Sequence, residues 1–262
     1  ISSVADAVAF AEKIGYPVLL RPSYVLSGAA MGVATSAREC QLFLNKAAEV
    51  SPRHPVVVSK YFENTKEIEV DAVASAGNIV TLAVSEHVEN AGVHSGDATL
   101  VFPPQRTYLE TIRKMERITA RIAESLHISG PFNVQYLAQG TNVKVIECNL
   151  RASRSFPFVS KVYKQNFVEL AIQAALGCPA HKNGRSAHDL GYVGVKAPQF
   201  SFTRLQGADP TVGVEMSSTG EVGCLGDDFE EAFLKALISV GFRFPVRSVL
   251  LSTGPLADQL TF

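Results

Sequence analysis

Polar side chains alternate with apolar ones from Val145 to Arg151. Successive side chains of a strand point to opposite faces, so a strand that continued through Arg151 would place Glu147, Asn149 and Arg151 on one face. A carboxylate and a carboxamide offer the oxygen ligands that Mg²⁺ prefers, and a guanidinium can hold a phosphate with two parallel donors. The pattern predicts half of a magnesium-phosphate site. A surface salt bridge between Glu147 and Arg151 on a half-exposed strand is the simpler alternative.

The residues that follow favour the site over the salt bridge. Arg154 adds a second guanidinium in a polar turn, and the uncharged stretch 156–159 then leads to Ser160 and Lys161. A solvated strand face does not require such a continuation. We therefore expect a buried strand that opens into a turn with phosphate-binding arginines.

A second polar position is expected beside this strand. The segments 132–138 and 143–148 have strand character and are joined by Gly140-Thr141-Asn142, which predicts neighbouring strands. Pairing would bring Gln135 close to Glu147, as a shared cation requires. Without such pairing, Gln135 would be an exposed strand residue.

The segment from Glu86 to Asp97 contains two histidines and three acids, which raises the question of a metal cluster. A zinc site is not indicated, because no cysteine and no closely spaced histidine pair accompanies them. We predict a polar loop between strands.

Helix and strand signals alternate along the chain and predict an α+β fold. Helices are expected from Val4 to Ile14, from a Ser36 cap to about Val50, from Thr107 to about His127, around Phe167–Ala174 and after an Asp228 cap. Strands are expected at 17–21, 55–62, 67–73, 79–84, 193–198 and 212–216, with a turn at 217–222. The glycine-rich stretch 25–32 fits either a hairpin turn or a loop that covers a phosphate.

Composition is that of a folded globular chain rather than a disordered one. The 262 residues are 47% hydrophobic and 19% charged, and the net charge of −1 gives no indication of nucleic-acid or acidic-membrane partners. The four cysteines are widely spaced, which disfavours a disulfide or zinc framework. No targeting or membrane-spanning segment is recognisable, so we expect a cytoplasmic location, or a mitochondrial one if a targeting peptide has been removed. The chain starts inside a helix signal and stops without a terminal cap, which indicates an excised segment.

Four ordered blocks resemble the carboxy-terminal, carbamate-phosphorylating half of carbamoyl phosphate synthetase large chains. They are RPSYVLSG at 21–28, EHVENAGVHSGD at 86–97, GPFNVQ at 130–135 and ECNLRASRSFPFVSK at 147–161. The likeness continues past residue 190, and the residues of the motifs ECNLR and SFPFVSK are closer to those of eukaryotic members than to those of bacterial ones. It implies an ATP-grasp fold: a lid subdomain at 1–65, a catalytic and metal-binding subdomain of antiparallel sheet with flanking helices at 66–245, and the start of a truncated regulatory domain at 246–262.

The resemblance also assigns roles to individual residues. ATP contacts would come from Arg21, Lys60, Phe62, Glu67, Gly92, Val93, His94, Ser95, Gln135 and Glu147. Magnesium or manganese would be held by Gln135, Glu147 and Asn149, and the catalytic cations would be Arg151 and Arg154. Lys60 departs from the histidine of some relatives, and Ser27 stands where many have glycine.

The implied activity is ATP-dependent phosphorylation of carbamate to carbamoyl phosphate, serving pyrimidine or arginine synthesis. The implied partners are the rest of the synthetase large chain and a glutamine amidotransferase domain or subunit. Two alternatives stay open: a nucleotide-binding or coupling module that is inactive alone, and another ATP-grasp ligase such as a biotin-dependent carboxylase.

Overall fold

A computed structural model of the chain describes residues 4–23, 31–50, 56–179, 187–201, 207–245 and 247–248. Its helices are α1 (Val4–Ile14), α2 (Ala37–Val50), α3 (Leu109–Ser125), α4 (Phe156–Tyr163), α5 (Phe167–Ala175) and α6 (Phe229–Ser239), with a 3₁₀ turn at Ala187–Asp189. Its strands are β1 (Val18–Pro22), β2 (Gly32–Ala34), β3 (Val56–Lys60), β4 (Lys66–Ser75), β5 (Asn78–Asn90), β6 (Leu100–Phe102), β7 (Gly130–Gln139), β8 (Asn142–Asn149), β9 (Val193–Phe200) and β10 (Ser218–Gly226). The mixed helical and antiparallel architecture confirms the predicted fold class.

The first unit is a small antiparallel sheet in the order β2-β1-β3, which packs against α1 and α2. Ala7, Ala11, Val18, Leu20 and Leu44 are among the residues of its own apolar core. The Ser36 hydroxyl accepts from the Glu39 amide at 3.3 Å, which confirms the predicted start of α2. The Glu39 carboxylate bonds to the amide and hydroxyl of Thr35 instead of completing the reciprocal capping box.

Within the described residues the second unit is a seven-stranded antiparallel sheet in the order β10-β9-β6-β5-β4-β7-β8. Strand β4 lies in its interior and has almost no exposed side chain. Ile68, Val70 and Ala72 pack on the face that α3 covers, with Met115 of that helix. The opposite face of β4 carries the acidic side chains described below.

Helices α4 and α5 cover part of that opposite face, and α4 was not predicted. The proline in the segment 156–159 argued against a helix, because proline disrupts helix interiors. Pro157 lies in the first turn of α4, however, where a missing amide hydrogen is tolerated. Phe156 and Phe167 anchor the two helices by an edge-to-face contact of 5.6 Å. Such pairs add about 0.5–1.5 kcal/mol beyond area burial.

Other sequence-based expectations need correction. Residues 86–90 continue β5, so the predicted polar loop begins only at Ala91. Residues 212–216 form no strand, and the predicted turn at 217–222 is largely strand β10. Short strand β6 escaped prediction because three apolar residues show no periodicity.

Some predictions lie outside the described residues, namely most of the glycine-rich stretch (25–30) and nearly all of the segment 246–262. The subdomain limits at 65 and 245 stay predictions. In the described part of the chain, no helix has the length and apolar character needed to cross a membrane.

Candidate active site

Two rows of polar side chains cross the acidic face of the sheet. One row is Glu69, Gln135 and Glu147, which are direct partners across β4, β7 and β8. The next row is Asp71, Asn133 and Asn149 on the same strands. Directly paired residues of antiparallel strands share a face, so six polar groups converge there.

The predicted proximity of Gln135 and Glu147 is confirmed by this register. Asn149 Nδ2 donates to Glu147 Oε1 at 2.8 Å, and Gln135 Nε2 donates to Ser95 Oγ at 3.0 Å. Each amide nitrogen therefore has a protein acceptor, which leaves both amide oxygens for an incoming ligand. One carboxylate and two amide oxygens suit Mg²⁺, which usually takes few protein ligands together with substrate phosphates.

The described residues contain no group of three or more histidines, cysteines or acids arranged to hold an ion. A metal at Glu147 would thus depend on the two amide oxygens and on the ligand's own oxygens. The strand itself differs from expectation: β8 is an edge strand with exposed Val145 and Ile146, not a buried one.

Arg151 was predicted to extend the face of Glu147 and Asn149, and this is wrong. The strand ends at Asn149, and Arg151 lies in the following bend with Nη1 donating to the Ala152 carbonyl at 3.1 Å. Arg154, in the next turn, donates from Nη1 to Ser218 Oγ at 2.6 Å.

The loop 91–97 closes one side of the site. Gly92 adopts φ +117°, and a Cβ built on it would lie 2.3 Å from the Tyr61 hydroxyl, so this position requires glycine. The Tyr61 hydroxyl donates to the Ala91 carbonyl at 3.0 Å. His94 Nδ1 accepts from the Gly96 amide at 3.0 Å, and burial lowers the pKa of His94, so a neutral imidazole fits this bond.

Ser218 ties the loop to Arg154. Its amide donates to Asp97 at 2.8 Å, and its hydroxyl donates to the Gly96 carbonyl at 3.0 Å. Arg154 is thus held beside the loop that bears His94 and Ser95, although the two segments are nearly sixty residues apart in sequence.

The predicted nucleotide residues of the first unit and the hinge lie as follows. Arg21 is half-buried on β1 opposite Val57. Lys60 donates from Nζ to the carbonyls of Gly15 and Tyr16, both at 2.9 Å, so its ammonium is held by the end of α1. Val93 is half-buried in the loop.

Phe62 reaches strand β8. The ammonium of Lys144, three residues before Glu147 on β8, lies 4.9 Å from the centre of the Phe62 ring. Glu67 is 7% exposed on β4, and burial, with the nearby charges of Glu69 and Glu147, raises its pKa to about 7.

Sequence reasoning missed an ion pair at the centre of this face. His87 Nε2 lies 3.1 Å from Glu69 Oε1, and both side chains are buried. Burial alone would raise the pKa of Glu69, but the bond to His87 and the charges of His87 and Lys196 outweigh it and lower the pKa to about 2. The sequence did contain a signal for this acidic face: Glu67, Glu69 and Asp71 alternate with apolar residues, a pattern that places all three acids on one face of a strand.

Lys196 was also missed. It is 1% exposed on β9, with Nζ 3.4 Å from the Ser95 carbonyl and 3.8 Å from Glu221 Oε2. Burial lowers its pKa, while the charges of Glu69 and Glu221 oppose this effect. A buried cation therefore lies behind the loop residue that contacts Gln135.

The chain matches a family model described as "Carbamoyl-phosphate synthase L chain, ATP binding domain" over residues 1–182. It is 55% identical over 260 residues to the multifunctional protein pyrABCN of Emericella nidulans, a match that covers 99% of this chain and 11% of that protein. It is 50% identical over 256 residues to the mitochondrial carbamoyl-phosphate synthase [ammonia] of Aquarana catesbeiana, covering 96% of this chain and 17% of that protein.

The fold resembles that of a solved biotin carboxylase. The biotin carboxylase–βγ-ATP complex from Campylobacter jejuni superposes with a TM-score of 0.71 at 17% identity, covering 90% of this chain and 60% of that one. At this identity the likeness shows the ATP-grasp fold alone. The chain spans only about a tenth to a sixth of the length of the curated relatives named above.

Proposed function

Because the chain belongs to the family of carbamoyl-phosphate synthase large-chain ATP-binding domains, we propose that it transfers the γ-phosphoryl group of ATP to carbamate. The observation that carries this proposal is the cross-strand set Gln135, Glu147 and Asn149 beside a turn with two arginines. Phosphoryl transfer requires mainly positioning and charge stabilisation, and this arrangement supplies groups for both.

Residues around the hinge and the loop 91–97 would bind the nucleotide. Phe62 offers an apolar surface for the base, and Glu67 a carboxylate for the ribose hydroxyls. The loop backbone would lie along the nucleotide at Gly92, Val93, His94 and Ser95. Gly92 has no side chain, so the backbone there could come close to the nucleotide. Arg21 would contact the phosphates, and Lys60 would act indirectly, by fixing the end of α1 against the hinge.

Gln135, Glu147 and Asn149 would hold Mg²⁺, and Mn²⁺ has the same preference for oxygen ligands in this setting. When bound, the ion supplies positive charge at the β- and γ-phosphate oxygens. A biotin carboxylase domain from Hydrogenobacter thermophilus that shares the fold was solved in complex with MgADP. The side chains themselves orient one another, since Asn149 donates to Glu147 and Gln135 donates to Ser95.

An anionic acceptor would meet the cations of Arg151, Arg154 and buried Lys196. In the proposed step a carbamate oxygen attacks the γ-phosphorus, the bond from that phosphorus to the β–γ bridging oxygen breaks, and ADP leaves. Arg154 is held at Ser218, so its guanidinium is oriented before the acceptor arrives. Ordering in advance lowers the entropy lost on reaching the transition state.

The chain's relatives support carbamate over biotin chemistry. The chain is 55% identical to the multifunctional protein pyrABCN and 50% identical to a carbamoyl-phosphate synthase, whereas the biotin carboxylase shares only the fold. We propose a parent protein that contains the remaining large chain and a glutamine amidotransferase domain. Cytoplasmic location stays a prediction, because a mitochondrial synthase is among the relatives.

The proposal is tested by ATP formation from MgADP and carbamoyl phosphate. The chain is compared with Glu147→Gln, which keeps the side-chain shape but removes the charge, and with Glu124→Ala, an exposed glutamate of α3. We expect ATP from the unmodified chain and from Glu124→Ala, and at least a hundredfold less from Glu147→Gln.

Calorimetric MgADP binding separates the alternatives. Tight MgADP binding without ATP formation would support the module that needs the rest of its parent protein. Equal ATP formation by Glu147→Gln would remove Glu147 from the site.

A further inference from the structure

Asp71 is a completely buried carboxylate that holds the segment after β8. It accepts hydrogen bonds from Ser153 Oγ at 2.5 Å, from Ser155 Oγ at 2.8 Å and from Asn133 Nδ2 at 3.0 Å. Both serines belong to residues 150–155, which we call the arginine turn. Asp71 thus joins this turn to the interior strand β4, eighty residues earlier in the chain.

Ser155 bonds to Asp71 instead of capping the helix that it begins. It occupies the N-cap of α4, where a serine hydroxyl normally accepts from an amide of the first helical turn. Here the hydroxyl makes no cap bond, and its one hydrogen is shared between Asp71 at 2.8 Å and Glu69 at 3.2 Å. An N-cap without its hydrogen bond destabilises the helix that it begins, so the local sequence does not explain this arrangement.

The side chain of Arg154, which lies between the two serines, is fixed by a separate contact. Arg154 bonds to Ser218, while Arg151 is exposed and makes a bond only to the neighbouring Ala152 carbonyl among those that the structure records for its side chain. The serine bonds to Asp71 therefore hold the backbone on both sides of Arg154.

We propose that Asp71 is a positioning residue for phosphoryl transfer, because its bonds to Ser153 and Ser155 fix the arginine turn in the place from which Arg151 and Arg154 bind the acceptor. This inference rests on the proposed function. It assigns Asp71 no contact with substrate. It predicts an effect on the acceptor side and none on the nucleotide side.

The test compares four forms of the chain: unmodified, Ser153→Ala/Ser155→Ala, Ser155→Thr, and Thr81→Val. Thr81 is a matched control, because its buried hydroxyl also ties the large sheet to the helical segment, by a 2.7 Å bond to Gln165. The KM for carbamoyl phosphate, the KM for MgADP and kcat are measured in the ATP-forming direction. Amide hydrogen exchange at residues 151–156 is measured in the chain without ligands.

We expect the double alanine variant to raise the KM for carbamoyl phosphate about thirtyfold, which is the loss of two hydrogen bonds of about 1 kcal/mol each at about 1.4 kcal/mol for each factor of ten, with the KM for MgADP changed less than twofold. Its amides at 151–156 should exchange about tenfold faster. Ser155→Thr keeps a hydroxyl and should retain most of the acceptor affinity. Thr81→Val should lower thermal stability without changing either KM.

An unchanged KM for carbamoyl phosphate in the double variant would overturn the inference, as would an equal rise of both KM values. If the unmodified chain makes no ATP, the proposed function fails by itself, and hydrogen exchange then decides the positioning. Exchange at 151–156 that is no faster in the serine variant than in Thr81→Val would also refute it.

Discussion

Replacement of Glu67 by glutamine should stabilise the chain at neutral and alkaline pH. Glu67 is 7% exposed, and its pKa is raised from 4.5 to about 7, mainly by burial. The native state therefore holds this proton more tightly than the unfolded state does. The stability that the proton contributes is complete below pH 4.5 and is lost as the pH rises to about 7.

The size of the effect follows from the difference between the pKa of Glu67 in the unfolded and folded states. At about 1.4 kcal/mol for each pH unit between the two pKa values, ionised Glu67 destabilises the fold by about 3 kcal/mol above pH 7. Glutamine has nearly the same shape and carries no charge. The variant should equal the unmodified chain at pH 4 and exceed it by about 3 kcal/mol at pH 8.

Urea unfolding at pH 4, 5, 6, 7 and 8 measures this difference as a change in midpoint at constant slope. Glu124→Gln, at an exposed position of α3, is the control and should show a small offset that does not vary with pH. A difference between Glu67→Gln and the unmodified chain that is constant across this range would refute the reasoning. So would a gain of stability by the unmodified chain between pH 5 and 7 relative to the variant.

Three further substitutions have defined expectations. Gly92→Ala should destabilise the chain by about 1–3 kcal/mol, measured by thermal melting, and should weaken MgADP binding, measured by calorimetry. Adding Tyr61→Phe to this variant should restore part of the stability and part of the affinity, because the new Cβ clashes with the tyrosine hydroxyl. Lys196→Met should raise the KM for carbamoyl phosphate at least tenfold with little change for MgADP; equal changes for both would contradict an acceptor-side role. Gly194→Ala should lower stability by about 1–3 kcal/mol without altering either KM per folded molecule, because the new Cβ would lie 2.6 Å from Val162 Cγ2 in the core.

Local sequence signals were sufficient for the elements that carry the proposed metal-binding set. The glycine turn at 140 predicted the β7–β8 pairing, and that pairing placed Gln135 opposite Glu147. The Ser36 and Asp228 caps predicted the start of α2 and α6, since capping depends on residues within one turn. In each case the determining contacts are close in sequence.

Features that depend on distant partners could not be predicted. The ion pair of His87 with Glu69 becomes visible only when β4 and β5 are paired, because neither side chain has a local partner. Helix α4 packs its apolar residues against α5 and against distant strand residues such as Val80 and Phe102, while the proline in its first turn is compatible with a helix. After the end of β8, Ser153 and Ser155 bond to Asp71, about eighty positions away, and no local pattern indicates this contact.

Because β8 lies at the edge of the large sheet, a ligand bound to β8 would also protect that edge. Edge strands offer unpaired backbone groups to other chains, and β8 adds exposed Val145 and Ile146, with exposed Leu150 directly after it. A ligand that binds Glu147 and Asn149 only while β8 is docked opposes its detachment by about 2.7 kcal/mol at a hundred times its Kd. MgADP should therefore slow both proteolysis near residues 140–150 and aggregation on storage, so nucleotide in the purification buffer would preserve the chain as well as occupy its site.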